Sequence, residues 1–409
     1  MRSCSFRPLA LTLIFGTLLI AGLAAQDIAP PIPQKVTVHS NVLNEDRVVW
    51  VRTPRSYDLG KDALPVLYLT DGPGHINEIG STIDFLVDNG RMPSLIVVGI
   101  ANTDRARDLT PTHADVKNAD GTTESIPTSG GGDRFFDFIQ TELMPEIDKR
   151  YRTAPYRIFA GHSLGGLMAI HILTSRPDMF QAYIAVSPSL WWDDQHILHQ
   201  AQQFFAAHAE LNKTLFFSLG GEGNDMQNGF VELQKTLTAK APKDFRWDSA
   251  RYTDETHSST VLRAHYAALR MVFADWPVPR DSTGMPEGGM EGLEKHYRKL
   301  SSRYGYRIEL PENAVNGLGY RLMGMKRFDQ AIAVFQRNVE LYPGSANVYD
   351  SLGEGYESAD KLDLATKNFQ KAIEIGTKTG DPGLDSFQDH LKRVTAKIKA
   401  TTEKPGGHP

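Results

Sequence analysis

Tyr156-Arg157-Ile158-Phe159-Ala160-Gly161-His162-Ser163-Leu164-Gly165-Gly166-Leu167-Met168-Ala169-Ile170 runs from a short apolar segment, through Gly-x-Ser-x-Gly, into small and aliphatic residues. In that context the pentapeptide predicts a tight turn between a strand and a helix. Ser163 is then forced into a strained backbone conformation, and the flanking glycines leave room for neighbouring chain. Such a turn lifts the serine hydroxyl above the sheet edge and aims the free N–H groups of the helix at the same spot. Ser163 is therefore a candidate nucleophile. The competing use of the same residue is as a side-chain cap for a helix starting near Leu164.

Similar apolar runs surround this segment: Val48–Val51, Pro65–Leu69, Ser94–Ile100, Ala182–Val186 and Leu215–Leu219. Dense in aliphatic and aromatic residues, they suit strands buried on both faces of a mostly parallel sheet. Helical stretches such as Asp133–Lys149 and Val261–Phe273 alternate with them. Over residues 34–276 this pattern predicts an α/β sandwich with a mostly parallel central sheet and right-handed crossovers. Ligands in such sheets sit beyond the carboxyl ends of the strands, where the Ser163 turn falls.

A chain of 409 residues has room for two domains, and 41% hydrophobic with 23% charged residues is an ordinary globular balance. A net charge of -5 offers no basic footprint, which argues against nucleic acid or an anionic membrane as partner. Arg2 and Arg7, the apolar Leu9–Leu23 and the small residues Gly22-Leu23-Ala24-Ala25 read as a secretory signal over residues 1–25. An uncleaved anchor is the alternative, against which the short apolar run argues. The single cysteine, Cys4, would leave with the signal, so the mature chain is expected to lack disulfides and thiolate chemistry. An exported, cysteine-free protein suits a bacterial periplasm or secretion, with no stable membrane insertion after cleavage.

Residues 277–292, rich in Pro, Gly and Met without a period, read as a linker to a helical domain over 293–396. There Leu318-Gly319 recurs as Leu352-Gly353, Ala331 as Ala365 and Phe335 as Phe369, each 34 residues on. Three anchors at one spacing resemble two tetratricopeptide repeats over 311–378. Two repeats are fewer than a free-standing array needs, so docking onto the preceding domain and capture of a protein partner both stay open. The tail from 397 to 409 is expected to be disordered.

A serine hydroxyl needs a base to take its proton and a third group to orient that base. In the α/β-hydrolase order the acid follows the serine and the histidine comes last. His257, in Asp254-Glu255-Thr256-His257-Ser258 before the final helix of this region, holds the position of the base. The acid should follow the Leu215–Leu219 strand, where Glu222 and Asp225 are the candidates; Glu222 is nearer the strand end. A Ser-His dyad using neither is the remaining possibility. For the oxyanion, one backbone donor should be Leu164 N–H. The other should come from Thr70-Asp71-Gly72-Pro73-Gly74-His75, in which Pro73 has no N–H, leaving Gly72, Gly74 or the His75 side chain. No dense ligand cluster argues for a metal, and no cofactor is expected.

Several of these stretches together are similar to the putative esterase family, the α/β-hydrolase branch that includes esterase D, siderophore esterases and mycolyltransferases. They are Pro65–Gly74, Asn102–Pro111, Gly161–Gly166, Ser187-Pro188-Ser189-Leu190-Trp191-Trp192, Gly221-Glu222-Gly223 and Glu255-Thr256-His257-Ser258. The likeness spans about residues 36–275. It implies hydrolysis of a small-molecule carboxylic ester through an acyl-enzyme, with Ser163 as nucleophile, His257 as base and Glu222 as acid. In relatives the residue after the Asp-Gly pair often supplies the second oxyanion donor; here that residue is Pro73. Siderophore-ester hydrolysis or acyl transfer on the same site is an alternative, as is an inactive interaction module built on the fold. Trp191 and Trp192 could wall a substrate pocket or simply pack. Arg107, with Arg105, could grip a carboxylate or fix a loop.

Overall fold

The computed structural model describes residues 31–402 apart from 59 and 118–120; the expected signal segment and Cys4 lie outside the described residues. Among the described residues ten strands and fourteen α-helices follow one another in chain order. The strands are Gln34–Ser40 (β1), Glu45–Arg52 (β2), Leu64–Leu69 (β3), Ile96–Ile100 (β4), Val116–Lys117 (β5), Thr123–Glu124 (β6), Thr153–His162 (β7), Ala182–Val186 (β8), Thr214–Leu219 (β9) and Arg246–Arg251 (β10). The helices up to the last strand and just beyond are Gly72–Asp88 (α1), Arg105–Asp108 (α2), Gly132–Phe138 (α3), Met144–Arg150 (α4), Leu164–Ser175 (α5), Trp192–Ala207 (α6), Asn224–Lys240 (α7) and Thr260–Val272 (α8).

Eight strands form one sheet in the order β1-β2-β4-β3-β7-β8-β9-β10, while β5 and β6 make a separate two-residue ladder. From β4 to β10 every pairing is parallel; β1 and β2 join antiparallel at one edge. Strand β1 alternates exposed and buried residues, as an edge strand with one wet face does, whereas β4, β8 and β9 are buried throughout. The apolar runs read as strands are therefore the central ones, except Val48–Val51, which falls in β2, antiparallel beside the edge and buried on alternate residues. Alternation sends Tyr68, Phe159 and Tyr183 to one face with α3 to α7, and Leu67, Ile158 and Ile184 to the other with α1 and α8. This three-layer arrangement is an α/β-hydrolase-type fold. The stretch expected as one helix over 133–149 is broken by a π-turn at Ile139–Leu143, just before Pro145 in the first turn of α4. Proline lacks the N–H that a regular ladder needs there.

The C-terminal part is all helical: Gly289–Tyr304 (α9), Glu312–Gly324 (α10), Phe328–Leu341 (α11), Ala346–Ser358 (α12), Leu362–Thr379 (α13) and Leu384–Thr402 (α14). Helices α10 and α11, and then α12 and α13, are consecutive neighbours, and the 34-residue spacing has a packing cause. A Cβ on Gly319 would lie 2.4 Å from the Phe335 ring, and one on Gly353 2.5 Å from the Phe369 ring. Each hairpin closes on an aromatic ring seated directly against a glycine backbone.

Residues 277–288 are not a loose linker. Arg280 bridges Pro286, Asp281 Oδ1 accepts from the N–H groups of Thr283 (2.8 Å) and Met285 (3.1 Å), and Met285 is buried. Helix α9 begins at Gly289, inside the stretch expected to be linker. Nor does the tail loosen at 397: α14 continues to Thr402, because Val394 is buried and Lys397 pairs with Glu357 on α12.

The helices share a core with the sheet. Tyr304 of α9 packs against Tyr156 of β7 (ring centroids 5.1 Å) and Phe273 (5.5 Å), and its hydroxyl donates to Val272 O at 3.3 Å. Among the described residues no helix is long and apolar enough to cross a membrane. Tyr304→Ala should remove about 3–5 kcal/mol of packing at this joint. Urea unfolding should show a lower midpoint, and limited proteolysis should open the chain first between α8 and α9.

Candidate active site

Strand β7 ends at His162, and α5 begins at Leu164, so Ser163 alone makes the turn. Its backbone sits at φ 61° and ψ -116°, a region that residues with a side chain seldom occupy. The turn is anchored on both sides: Ser163 N–H donates to Val186 O (2.9 Å), and Ser163 O accepts from Leu167 N–H (2.9 Å). The neighbouring glycines are required by contact. A Cβ on Gly161 would lie 2.3 Å from the Gly165 backbone, and one on Gly165 would lie 2.2 Å from Thr70 Oγ1. The Ser163 side chain makes no helix-capping hydrogen bond, which disposes of the capping alternative. Its hydroxyl instead meets Ser189 Oγ at 3.3 Å.

The loop after β9 carries Glu222 and the loop after β10 carries His257. They are drawn together because Gly221 N–H donates to Glu255 O at 2.6 Å, where a Cβ on Gly221 would strike Thr253 O at 2.8 Å. Glu222 Oε1 bonds to His257 Nδ1. The other carboxylate oxygen, Oε2, accepts from Gly220 N–H (2.6 Å) and Ser187 Oγ (2.9 Å). With both oxygens engaged, Glu222 is fixed as a hydrogen-bond acceptor for the imidazole, and His257 Nδ1 is the nitrogen that carries the proton. Asp225, the alternative acid, lies exposed in the first turn of α7, apart from this pair. Among the described residues Ser163 and His257 share no direct hydrogen bond, although the His257 ring packs on His162, the residue before Ser163 (centroids 4.5 Å). In unliganded sites such bonds are often long and tighten only around substrate.

At the carboxyl end of β3, Asp71 adopts φ 54° and α1 starts at Gly72. Pro73 falls in the first helical turn, where a missing N–H costs nothing. Gly74 N–H is spent on Asp71 O at 2.9 Å. The N–H groups of Gly72 and Leu164, each at the first position of its helix, have no acceptor among the described residues. Gly72 also abuts β4, with a hypothetical Cβ 2.2 Å from Gly99. Burial alone would raise the Asp71 carboxyl, but Arg105 (2.8 Å) and Asn102 (2.6 Å) hold it below the usual carboxylate range. Arg105 also donates to His162 O at 3.3 Å, so one guanidinium ties the β3 loop to the serine turn.

Two side chains expected to touch substrate are committed elsewhere. Trp192 is buried in the core, and its Nε1 donates to Thr112 O at 3.3 Å. Arg107 is held by Glu45 (2.6 and 3.0 Å) and Asp108 (2.7 Å), because a guanidinium so close to two carboxylates pairs with them first. Trp191 is only partly buried and packs beside Trp192. Ser187, Ser189 and His162 were not singled out for a role from sequence, although each lies within a motif that was. In the C-terminal helices Asp350, Glu354 and His390 approach one another within 4.8 Å. There His390 pairs with Asp350 (2.9 Å), and Arg393 pairs with the neighbouring Glu357 (2.6 Å), a network that joins α14 to α12.

Burial, aided by the nearby His257, lowers His162 from the ordinary 6.5 to about 4. The unfolded chain then takes up the proton first, so this contribution to stability is complete above pH 6.5 and is lost as pH falls towards 4. In denaturant titrations, wild type should lose up to about 3 kcal/mol more than His162→Gln across that window.

A family model described as "Putative esterase" matches residues 40–260. The ferri-bacillibactin esterase BesA of Bacillus subtilis is 31% identical over 230 residues, covering 50% of this chain and 78% of that protein. A siderophore triacetylfusarinine C esterase of Aspergillus fumigatus is 30% identical over 179 residues, 36% of this chain and 60% of its own. The crystal structure of an IroE-like serine hydrolase from Shewanella oneidensis superposes with a TM-score of 0.65 at 28% identity, covering 76% of this chain and 98% of that one. With these matches and this fold, the chain belongs to the putative esterase family and is a carboxylic ester hydrolase.

Proposed function

We propose that this hydrolase works through an acyl-enzyme on Ser163, with His257 as general base and Glu222 as the group that orients it. The observation that carries the reading is the Glu222–His257 hydrogen bond, set beside the strained serine turn. Ser163 Oγ attacks the ester carbonyl carbon as His257 Nε2 takes its proton, and the imidazolium then protonates the departing alcohol. Water, activated by the same imidazole, attacks the acyl-enzyme and releases the acid. The negative charge that develops on the carbonyl oxygen is met by the N–H groups of Leu164 and Gly72, which have no acceptor among the described residues. Half-buried Trp191 is the remaining candidate for a pocket wall.

The names of the two curated relatives favour a siderophore ester as substrate over a simple alkyl ester. An inactive interaction module is disfavoured by the family match and by the Glu222–His257 pair set beside the strained serine turn. The two hairpins that repeat at 34 residues support a tetratricopeptide-like unit. Their core, continuous with that of the sheet, favours docking on the hydrolase over a free partner-binding array. Export rests on the N-terminal segment alone.

Ser163→Ala should lower turnover of p-nitrophenyl butyrate by at least ~10³-fold and abolish labelling by a fluorophosphonate. Glu222→Ala should be strongly impaired while Asp225→Ala keeps wild-type turnover. Equal activity of Ser163→Ala and wild type would rule out the acyl-enzyme. A catecholate triester run beside the butyrate ester distinguishes the siderophore reading, which expects the higher kcat/KM on the triester.

A further inference from the structure

We propose that His162 is a positioning residue for the general base: its Nε2–H, donated to the backbone carbonyl of His257, ties the loop of the base to the strand of the nucleophile. The inference rests on the reading of His257 as base. His162 Nε2 lies 2.8 Å from His257 O. A carbonyl oxygen only accepts, so the proton is on Nε2 and Nδ1 is bare.

The loop over residues 253–259 is otherwise held by its own bonds, by the loop after β9 and by Arg263 of α8, which donates to Asp254 (2.7 Å) and Glu255 (3.3 Å). Gly221 N–H donates to Glu255 O, Thr256 N–H to Ser259 Oγ (2.9 Å) and Ser259 Oγ to Glu255 Oε2 (2.6 Å). Among the described residues the His162 bond is the one hydrogen bond from this loop to β7 or α5. Glu222 fixes the tautomer and the plane of the imidazole, but it stands on a loop too. His162 is the last residue of β7, registered against Val186 of β8, and so stands on the rigid part of the sheet. Its carbonyl is held in turn by Arg105.

The groups facing His162 are His257 before α8, His75 on α1 (centroids 5.9 Å), and Asp71 and Arg105 below it. Burial keeps the ring neutral where His257 must cycle between neutral and charged forms. The base therefore works beside a hydrogen-bond donor that adds no second positive charge. Placing the reacting groups is worth more than the bond itself, because small displacements of a catalytic base are costly in rate.

The test uses the full chain, hydrolysis of p-nitrophenyl butyrate and the rate of fluorophosphonate labelling. His162→Leu should lower kcat on the order of 10²-fold with KM little changed, and labelling should slow in parallel. His162→Gln, whose amide nitrogen offers a donor at similar reach, should restore most of the loss. Thermal unfolding identifies a folding defect; should the Leu variant not fold, His162→Phe replaces it, keeping ring volume without a donor. A folded donorless variant with wild-type kcat, or a Gln variant as slow as the donorless one, overturns the inference. Undiminished activity in His257→Ala would instead overturn the reading of the base, which keeps the two failures distinct.

Discussion

The site hangs on a close approach of backbone to backbone at the carboxyl end of β7. Gly161 and Gly165 touch across the three residues of the turn, and Gly165 in turn meets Thr70 just after β3. Ser163, between these contacts, is held at φ 61° at a cost of about 1–3 kcal/mol. The surrounding sheet, buried on both faces, supplies the rigidity that keeps this strain from relaxing. Gly72, the first residue of α1, is pressed against Gly99 of β4, while Gly165 at the start of α5 meets Thr70 just after β3. In the proposed mechanism the N-termini of these two helices supply the positive potential for the developing oxyanion, built wholly from backbone.

Around this frame the polar side chains form two sets of ties. Asp71, Arg105 and Asn102 lock the β3 loop to the serine turn, with burial and the guanidinium competing over the Asp71 carboxyl and the guanidinium prevailing. Glu222 is gripped by Gly220 and Ser187 before it reaches His257. Groups that are buried and shared in this way lose little further entropy when substrate arrives, so the arrangement is organised before the reaction begins. Arg107, by contrast, is absorbed by Glu45 and Asp108, and contributes to the loop rather than to a ligand.

The helical region joins the same framework through its first helix. Tyr304 fills a gap between Tyr156, Phe273 and Trp276, so α9 is in effect an extra layer on one face of the sheet. The hairpins beyond it repeat because a glycine admits an aromatic ring at the same depth in each. Two hairpins stacked on a docked helix need no further repeats to cover their inner face, which is a physical reason for so short an array.

Much of this was legible in the chain itself because it follows from local pattern. Apolar runs of four to seven residues alternating with amphipathic stretches dictate a two-sided parallel sheet, and Gly-x-Ser-x-Gly between strand and helix dictates a sharp turn. The order of Ser163, the acidic loop and His257 along the chain narrowed the remaining candidates to Glu222 and Asp225. Which of them reaches His257 is a matter of tertiary structure: the crossing of the loops after β9 and β10 brings Glu222 to Nδ1 of His257 and leaves Asp225 exposed on α7. The same holds for Trp192 and Arg107, whose residue types suit a pocket while their neighbours, 80 and 62 positions away in sequence, claim them first. Local sequence determines how each segment bends and which face it buries; which polar groups meet depends on contacts between distant segments, and those exist only once the sheet has closed.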